Sequence, residues 1–147
     1  MIYLHQTTFD EMDFAQIAFF GRLNYWLEHA TTAWLMRHGI GFAVLSGQYK
    51  IGLAIVRAEA SYRAPIELEM TIEIRMAMTD LTRRGFTTPF EVVRQADGVL
   101  AAYGAITRRA IDLSQRPVRG REVPDEIWAK FLAMQAESTP LTLRPAE

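Results

Sequence analysis

The sequence predicts an α+β fold in which a curved antiparallel β-sheet wraps around one long central α-helix. Three observations carry that prediction. Apolar residues between about 17 and 38 recur at helical spacing, with Leu23, Leu27, Ala30 and Trp34 stepping by four, three and four. Beyond them, apolar residues fall on every second position in long runs. Short turn signals such as Ala96-Asp97-Gly98 join those runs as hairpins. A sheet with one apolar face needs a cover, and a helix of about 20 residues, ~30 Å long, can lie along it.

Taken in order, Ile2–Phe9 reads as a short strand. The helix of residues 17–38 is apolar on more than one face, because Phe19, Phe20, Tyr25 and Trp26 add bulk beyond the stripe. Those four aromatics are expected mostly in the core. Gly39 and Gly41, following Arg37 and His38, stop the helix. Residues 51–65 form a strand in which Ile51, Leu53 and Ile55 alternate with Gly52 and Ala54. Residues 66–78 read as one long half-buried strand, with Ile66, Leu68, Met70, Ile72, Ile74, Met76 and Met78 on one face and Glu67, Glu69, Thr71, Glu73 and Arg75 between them. Residues 86–95 and 99–111 are partner strands across the Ala96-Asp97-Gly98 turn. Ala101, Ala102, Gly104 and Ala105 predict that something packs closely there. Residues 114–124 form a loop holding Arg116, Arg119 and Arg121, and residues 124–134 a short helix opened by Pro124, Asp125 and Glu126. Residues 1–135 make a single domain, with residues 136–147 as a mobile tail. A sheet with one cover exposes edges and a face, so assembly with itself, as a homodimer or homotetramer, is expected.

Composition narrows the function classes. The net charge of −1 over 147 residues gives no general pull toward nucleic acid or anionic membrane. The absence of cysteine excludes a disulfide scaffold, a thiol nucleophile and cysteine metal sites. There is no signal-peptide pattern and no apolar run near the ~20 residues a membrane span needs, so a cytoplasmic protein without membrane or nucleic-acid partners is expected. His5, His29 and His38 have no ligand-like spacing, and no metal is expected. Ser46 and Ser61 lack a G-x-S-x-G setting, and neither a phosphate loop nor a dinucleotide fingerprint is present.

One acid stands out. Asp13 precedes the run Phe14, Ala15, Ile17, Ala18, Phe19, Phe20, interrupted only by Gln16. A carboxylate there either caps a helix or turn, or reacts. By position, the backbone N–H groups of Phe20 and Gly21 lie near a helix start, where unpaired donors and the helix dipole favour negative charge, and Gly21 lets a ligand approach the backbone.

These residues resemble the hotdog-fold thioesterases, and within them the aspartate-dependent 4-hydroxybenzoyl-CoA thioesterase family. The resemblance runs from about Thr8 to Ile111. It is carried by Asp13, Ala15, Ile17-Ala18, Phe19-Phe20 and Trp26-Leu27-Glu28, then Ala60-Ser61-Tyr62 and Arg83-Arg84-Gly85-Phe86. It departs from the family at Phe14, where a proline is common, at Gln16, where a glycine is usual, and at Phe20, where many relatives carry tyrosine or histidine. The resemblance implies hydrolysis of an acyl-CoA thioester, with an aromatic acyl group such as hydroxybenzoyl first and short or medium aliphatic chains next. It makes Asp13 the nucleophile or general base, and Phe20 and Gly21 the oxyanion donors. It makes Gln16, Phe19, Glu28, Ser61, Arg83 and Arg84 the substrate contacts, the arginines meeting the coenzyme A phosphates. It implies no cofactor, since coenzyme A enters as part of the substrate. A carrier-protein thioesterase and a non-catalytic acyl-thioester-binding protein are the alternatives.

Overall fold

Every strand pairing is antiparallel, and the strands bend around one helix. The computed structural model describes residues 1–139 and Leu141. Strand β1 (Ile2–Gln6) leads through a short 3-10 turn (Phe9–Glu11) and an irregular loop to α1 (Arg22–Arg37) and α2 (Phe42–Gln48). Then come β2 (Ile51–Tyr62), β3 (Thr71–Met76), β4 (Thr79–Thr82), β5 (Gly85–Arg94), β6 (Leu100–Asp112), β7 (Arg119–Gly120) and α3 (Asp125–Ala136). The main strand order is β1-β3-β5-β6-β2, with β4 beside β5 and β7 beside β6. This is the curled sheet around a helix that defines a hotdog fold.

The helical stripe reads as the sequence predicts. Leu23, Leu27, Ala30 and Trp34 are buried together with Trp26 and Leu35, and they share one core with Ile72, Ile74, Phe86, Phe90, Val92 and Ile106 of the sheet. Each large side chain so buried stabilises the fold by roughly 2 kcal/mol. Gly39, at φ 73°, takes the left-handed conformation that ends α1. Gly104 explains the small residues of β6: a Cβ there would collide with the Glu59 carbonyl of β2, so glycine is what lets these two strands run so close.

Several expectations are corrected. The helix starts at Arg22, because residues 17 and 18 are held extended by bridges Ile17↔Glu67 and Met12↔Ala18. The strand expected over 66–78 is broken, and only Thr71–Met76 is strand. Thr7 Oγ1 donates to the Glu67 carbonyl at 2.7 Å and accepts from the Met70 N–H at 2.9 Å, stapling a turn in which Glu69 sits at φ 59°. Of the four aromatics expected mostly in the core, only Trp26 lies there; Phe19, Phe20 and Tyr25 are 50%, 68% and 60% exposed. The short elements α2, β4 and β7 were not expected. Of the segment expected as a mobile tail, the stretch 137–139 is held: Glu137 accepts from the Trp34 indole, the Ser138 hydroxyl accepts from the Met78 N–H, and the Thr139 N–H donates to the Met76 carbonyl. Pro140 and residues 142–147 lie outside the described residues.

Candidate active site

The loop between the 3-10 turn and α1 is folded by its own acid. Asp13 Oδ1 accepts from the Ala15 N–H at 2.8 Å and from the Ile17 N–H at 3.3 Å. The Asp13 N–H donates to the Ile17 carbonyl at 2.9 Å, and Gln16 turns the corner at φ 60°. This is the local turn that an aspartate builds by substituting its carboxylate for a backbone acceptor. It occupies one oxygen; among the described residues, Oδ2 has no protein partner, and Asp13 is exposed.

Past this loop the backbone donors are almost all used. Ala18 N–H donates to the Ile66 carbonyl at 2.8 Å, Phe19 N–H to the Glu11 carbonyl at 3.0 Å, and Arg22 N–H to the Phe19 carbonyl at 2.8 Å. Between them, the N–H groups of Phe20 and Gly21 meet no protein acceptor among the described residues. Gly21 is the N-cap of α1, so this unspent pair sits at the positive end of a 16-residue helix.

A largely apolar cavity of about 300 Å³ opens beside that pair, walled by Phe19, Phe20, Leu23 and Trp26 on one side and by Tyr62, Arg63, Pro65, Ile66 and Ala102 on the other. The Tyr62 hydroxyl donates to the Phe20 carbonyl at 3.0 Å, and burial raises its phenol pKa.

A second acid supports the loop from behind. Glu11 is 9% exposed and accepts from the Trp26 indole N–H at 2.7 Å, from the Thr8 N–H at 2.8 Å, and shares a 2.8 Å contact with His5 Nε2. Burial pushes its carboxyl upward, but the hydrogen bonds from Trp26, His5 and Thr8 outweigh this and hold it below the ordinary glutamate range. With its own carbonyl on Phe19, Glu11 ties the loop to α1 and to β1. The sequence did carry this signal: Thr8-x-x-Glu11 is capping-box spacing.

The other expected site residues are scattered. Phe19 and Phe20 line the cavity. Gln16 borders a separate surface hollow with Ala15, Ile17, Glu67 and Leu68. Ser61 lies on β2 beside Tyr62 but on the opposite face, in register with Tyr103 of β6. Glu28 is paired with Arg108 of β6, a residue only 2% exposed whose Nη1 also reaches the Leu53 carbonyl at 3.5 Å. Arg108 was missed, although an arginine at an inward position of a strand whose neighbours there are Ile106 and Ala110 is a readable signal. Arg83 pairs with Asp125 at 2.8 Å and stacks over Trp128, and Arg84 faces Glu122 at 3.6 Å. Both sit before the start of β5, whereas Val92, which pairs with cavity-lining Ala102, is near its end. Eight residues of strand separate Arg84 from Val92, ~26 Å, so these arginines do not reach the cavity of their own chain.

An open apolar cavity at a helix start, inside a sheet curled round that helix, is the arrangement of a hotdog protein. A family profile described as the thioesterase-like superfamily matches residues 7–131, and the chain belongs to that superfamily, which places it among the thioester hydrolases. No curated protein sequence matches it significantly. Among solved structures it is similar to a gentisyl-coenzyme A thioesterase, at 23% identity and TM-score 0.76 over 89% of this chain and 99% of the other. It is similar to a 1,4-dihydroxy-2-naphthoyl-CoA thioesterase from Synechocystis, at 16% identity and TM-score 0.80 over 92% and 95%. It is also similar to a 4-hydroxybenzoyl-CoA thioesterase variant solved with 4-hydroxybenzoyl-CoA, at 18% identity and TM-score 0.79 over 88% and 96%. At these identities the likeness concerns the fold.

Proposed function

We propose that this protein hydrolyses an acyl-CoA thioester to the free acid and coenzyme A. The observation that carries the reading is the pair of unspent N–H groups, Phe20 and Gly21, at the positive end of α1 beside the apolar cavity. The acyl group enters the cavity, and its carbonyl oxygen lies against these donors. As the carbonyl carbon is attacked, charge builds on that oxygen, where one such donor is worth about 3 kcal/mol. Asp13 attacks directly to give a mixed anhydride, or takes a proton from the attacking water; its free Oδ2 suits either role. The three structural relatives above, thioesterases for aromatic acyl-CoAs, favour an aromatic acyl group, with short and medium aliphatic chains next.

The reading includes a second copy of the chain. β2 is an edge strand, Ile55, Val56 and Tyr62 on it are 48%, 58% and 55% exposed, and Phe14 and Phe20 stand in solvent nearby in sequence to the site. Pairing along β2 would cover such a patch. It is also how Arg83 and Arg84 would meet coenzyme A phosphates, across the assembly. A cytoplasmic location, where acyl-CoA esters are made, goes with it.

The deciding experiment is thiol release from aromatic and aliphatic acyl-CoAs by wild type and Asp13→Asn. Asparagine keeps the Oδ1 acceptor for Ala15 and Ile17, so the turn survives and the charge alone is lost. Rapid release abolished in the variant supports the assignment. Equal rates in both would remove Asp13 from the chemistry, and no release from any ester in a folded wild type would overturn acyl-CoA hydrolysis.

A further inference from the structure

A second cavity, of about 240 Å³, meets the first at Tyr62 and is walled by Asn24 and Leu27 of α1, by Ala58, Glu59, Ala60 and Tyr62 of β2, and by Phe90 and Ile106, with Glu59 as its one charged residue. The two lie side by side on neighbouring faces of α1: Leu23 and Trp26 border the first, Asn24 and Leu27 the second. They follow one another along one face of β2, where Ala58, Ala60 and Tyr62 are successive residues on the same side. Tyr62 is the residue common to both linings. Two alanines followed by a tyrosine make a trough with a wall at its end. The wall is pinned, because the phenol donates to the Phe20 carbonyl across the gap to α1 at 3.0 Å.

We infer that Tyr62 is a specificity-determining residue: a hydrogen-bonded partition between the two cavities that sets how long an acyl group the site accepts. The inference rests on the reading that the cavity beside Phe20 takes the acyl group. With the ring in place, an acyl group ends at it, and compact aromatic or short aliphatic groups fit. Without it, an unbranched chain continues along β2 past position 62 into the space between Leu27, Ala60, Phe90 and Ile106. The ring is 55% exposed, so its removal takes away a wall without hollowing the core. Tyr62→Ala should therefore fold.

The test measures both binding and turnover. Wild type, Tyr62→Ala and Tyr62→Phe are titrated calorimetrically with S-alkyl-CoA thioethers from butyl to decyl, which cannot be hydrolysed, and assayed on the matching thioesters. Thermal melts and sedimentation establish that the fold and the assembly are the same. The ratio of decyl to butyl affinity should rise roughly tenfold or more in Tyr62→Ala, the scale on which apolar pockets discriminate added methylenes. Tyr62→Phe keeps the ring and loses its anchor, so it should shift the same way by less. An unchanged chain-length order in both variants overturns the partition, as does an equal loss at every length. If wild type discriminates and cuts while its variants keep the same order, only the partition fails. If wild type neither binds nor cuts any of these compounds, nor an aromatic acyl-CoA assayed beside them, the acyl reading of the cavity fails and the partition falls with it.

Discussion

Two acids two residues apart have opposite fates. Glu11 is buried, and both of its oxygens are taken, by Trp26 of α1, His5 of β1 and the backbone of Thr8. Asp13 is exposed, and one oxygen is spent on its own loop while the other is open. The contrast separates architecture from chemistry by an observable criterion. A carboxylate whose lone pairs are all used stabilises; one with a free oxygen, held still by its other oxygen, is what the proposed chemistry requires. The same criterion sorts the amides at the start of α1. Phe19 N–H is spent on Glu11, and the next two are not.

The contrast breaks most visibly at Asp13. Asp13→Asn is expected to lower turnover on the order of 10³-fold with little change in melting temperature, read by thiol release and a thermal melt. A loss of stability matching the loss of rate would make Asp13 a second Glu11. At Glu11 the expectation reverses. Glu11→Gln puts an amide N–H against the donors of Trp26 or Thr8 and should cost about 2–3 kcal/mol in denaturant unfolding. Turnover measured well below the melting transition should stay within about tenfold of wild type. Acid sharpens the point. Glu11 titrates below its ordinary value of 4.5 in the native state, so its contribution is complete above that pH and is lost as pH falls through the native pKa. Melting temperature should fall less steeply below pH 4.5 in Glu11→Gln than in wild type. The smallest effect is that of Trp26→Phe, which removes one indole donor from Glu11 and leaves a small void in the core, and should cost about 1–2 kcal/mol. If its cost and that of Glu11→Gln add fully in the double variant, the two side chains are not coupled.

Much of the fold could be read because burial imposes a period. The stripe Leu23, Leu27, Ala30, Trp34 and the alternation in β3 each have a repeat that the core selects. Where the period survives a break, the break is invisible. Ile66 and Ile72 keep the same phase on either side of the turn at Glu69, which is set by Thr7, far away in sequence. The start of α1 was misplaced for a similar reason: Ile17 and Ala18 are apolar enough for a helix, but pairing with Glu67 and Met12 keeps them extended. Helix α2 spans only seven residues, too few for a stripe to declare itself. In the site, the cluster Phe19, Phe20, Tyr25 and Trp26 reads mostly as core, yet Phe19 is half exposed and Phe20 and Tyr25 are largely so. The Thr8-x-x-Glu11 spacing and an arginine at an inward β6 position were legible and would have found Glu11 and Arg108. The Tyr62 contact with Phe20 was not, since it depends on how β2 lies against the start of α1.

The exposed phenylalanines beside the site carry a consequence for how the protein behaves on dilution. If a second copy supplies their cover, molar activity is set by mass action as well as by the active site. Assays at falling protein concentration would then trace a dissociation curve, with activity per chain declining below the dimer's Kd and returning on concentration. A flat trace would mean that one chain, its aromatics in water, is the whole catalyst.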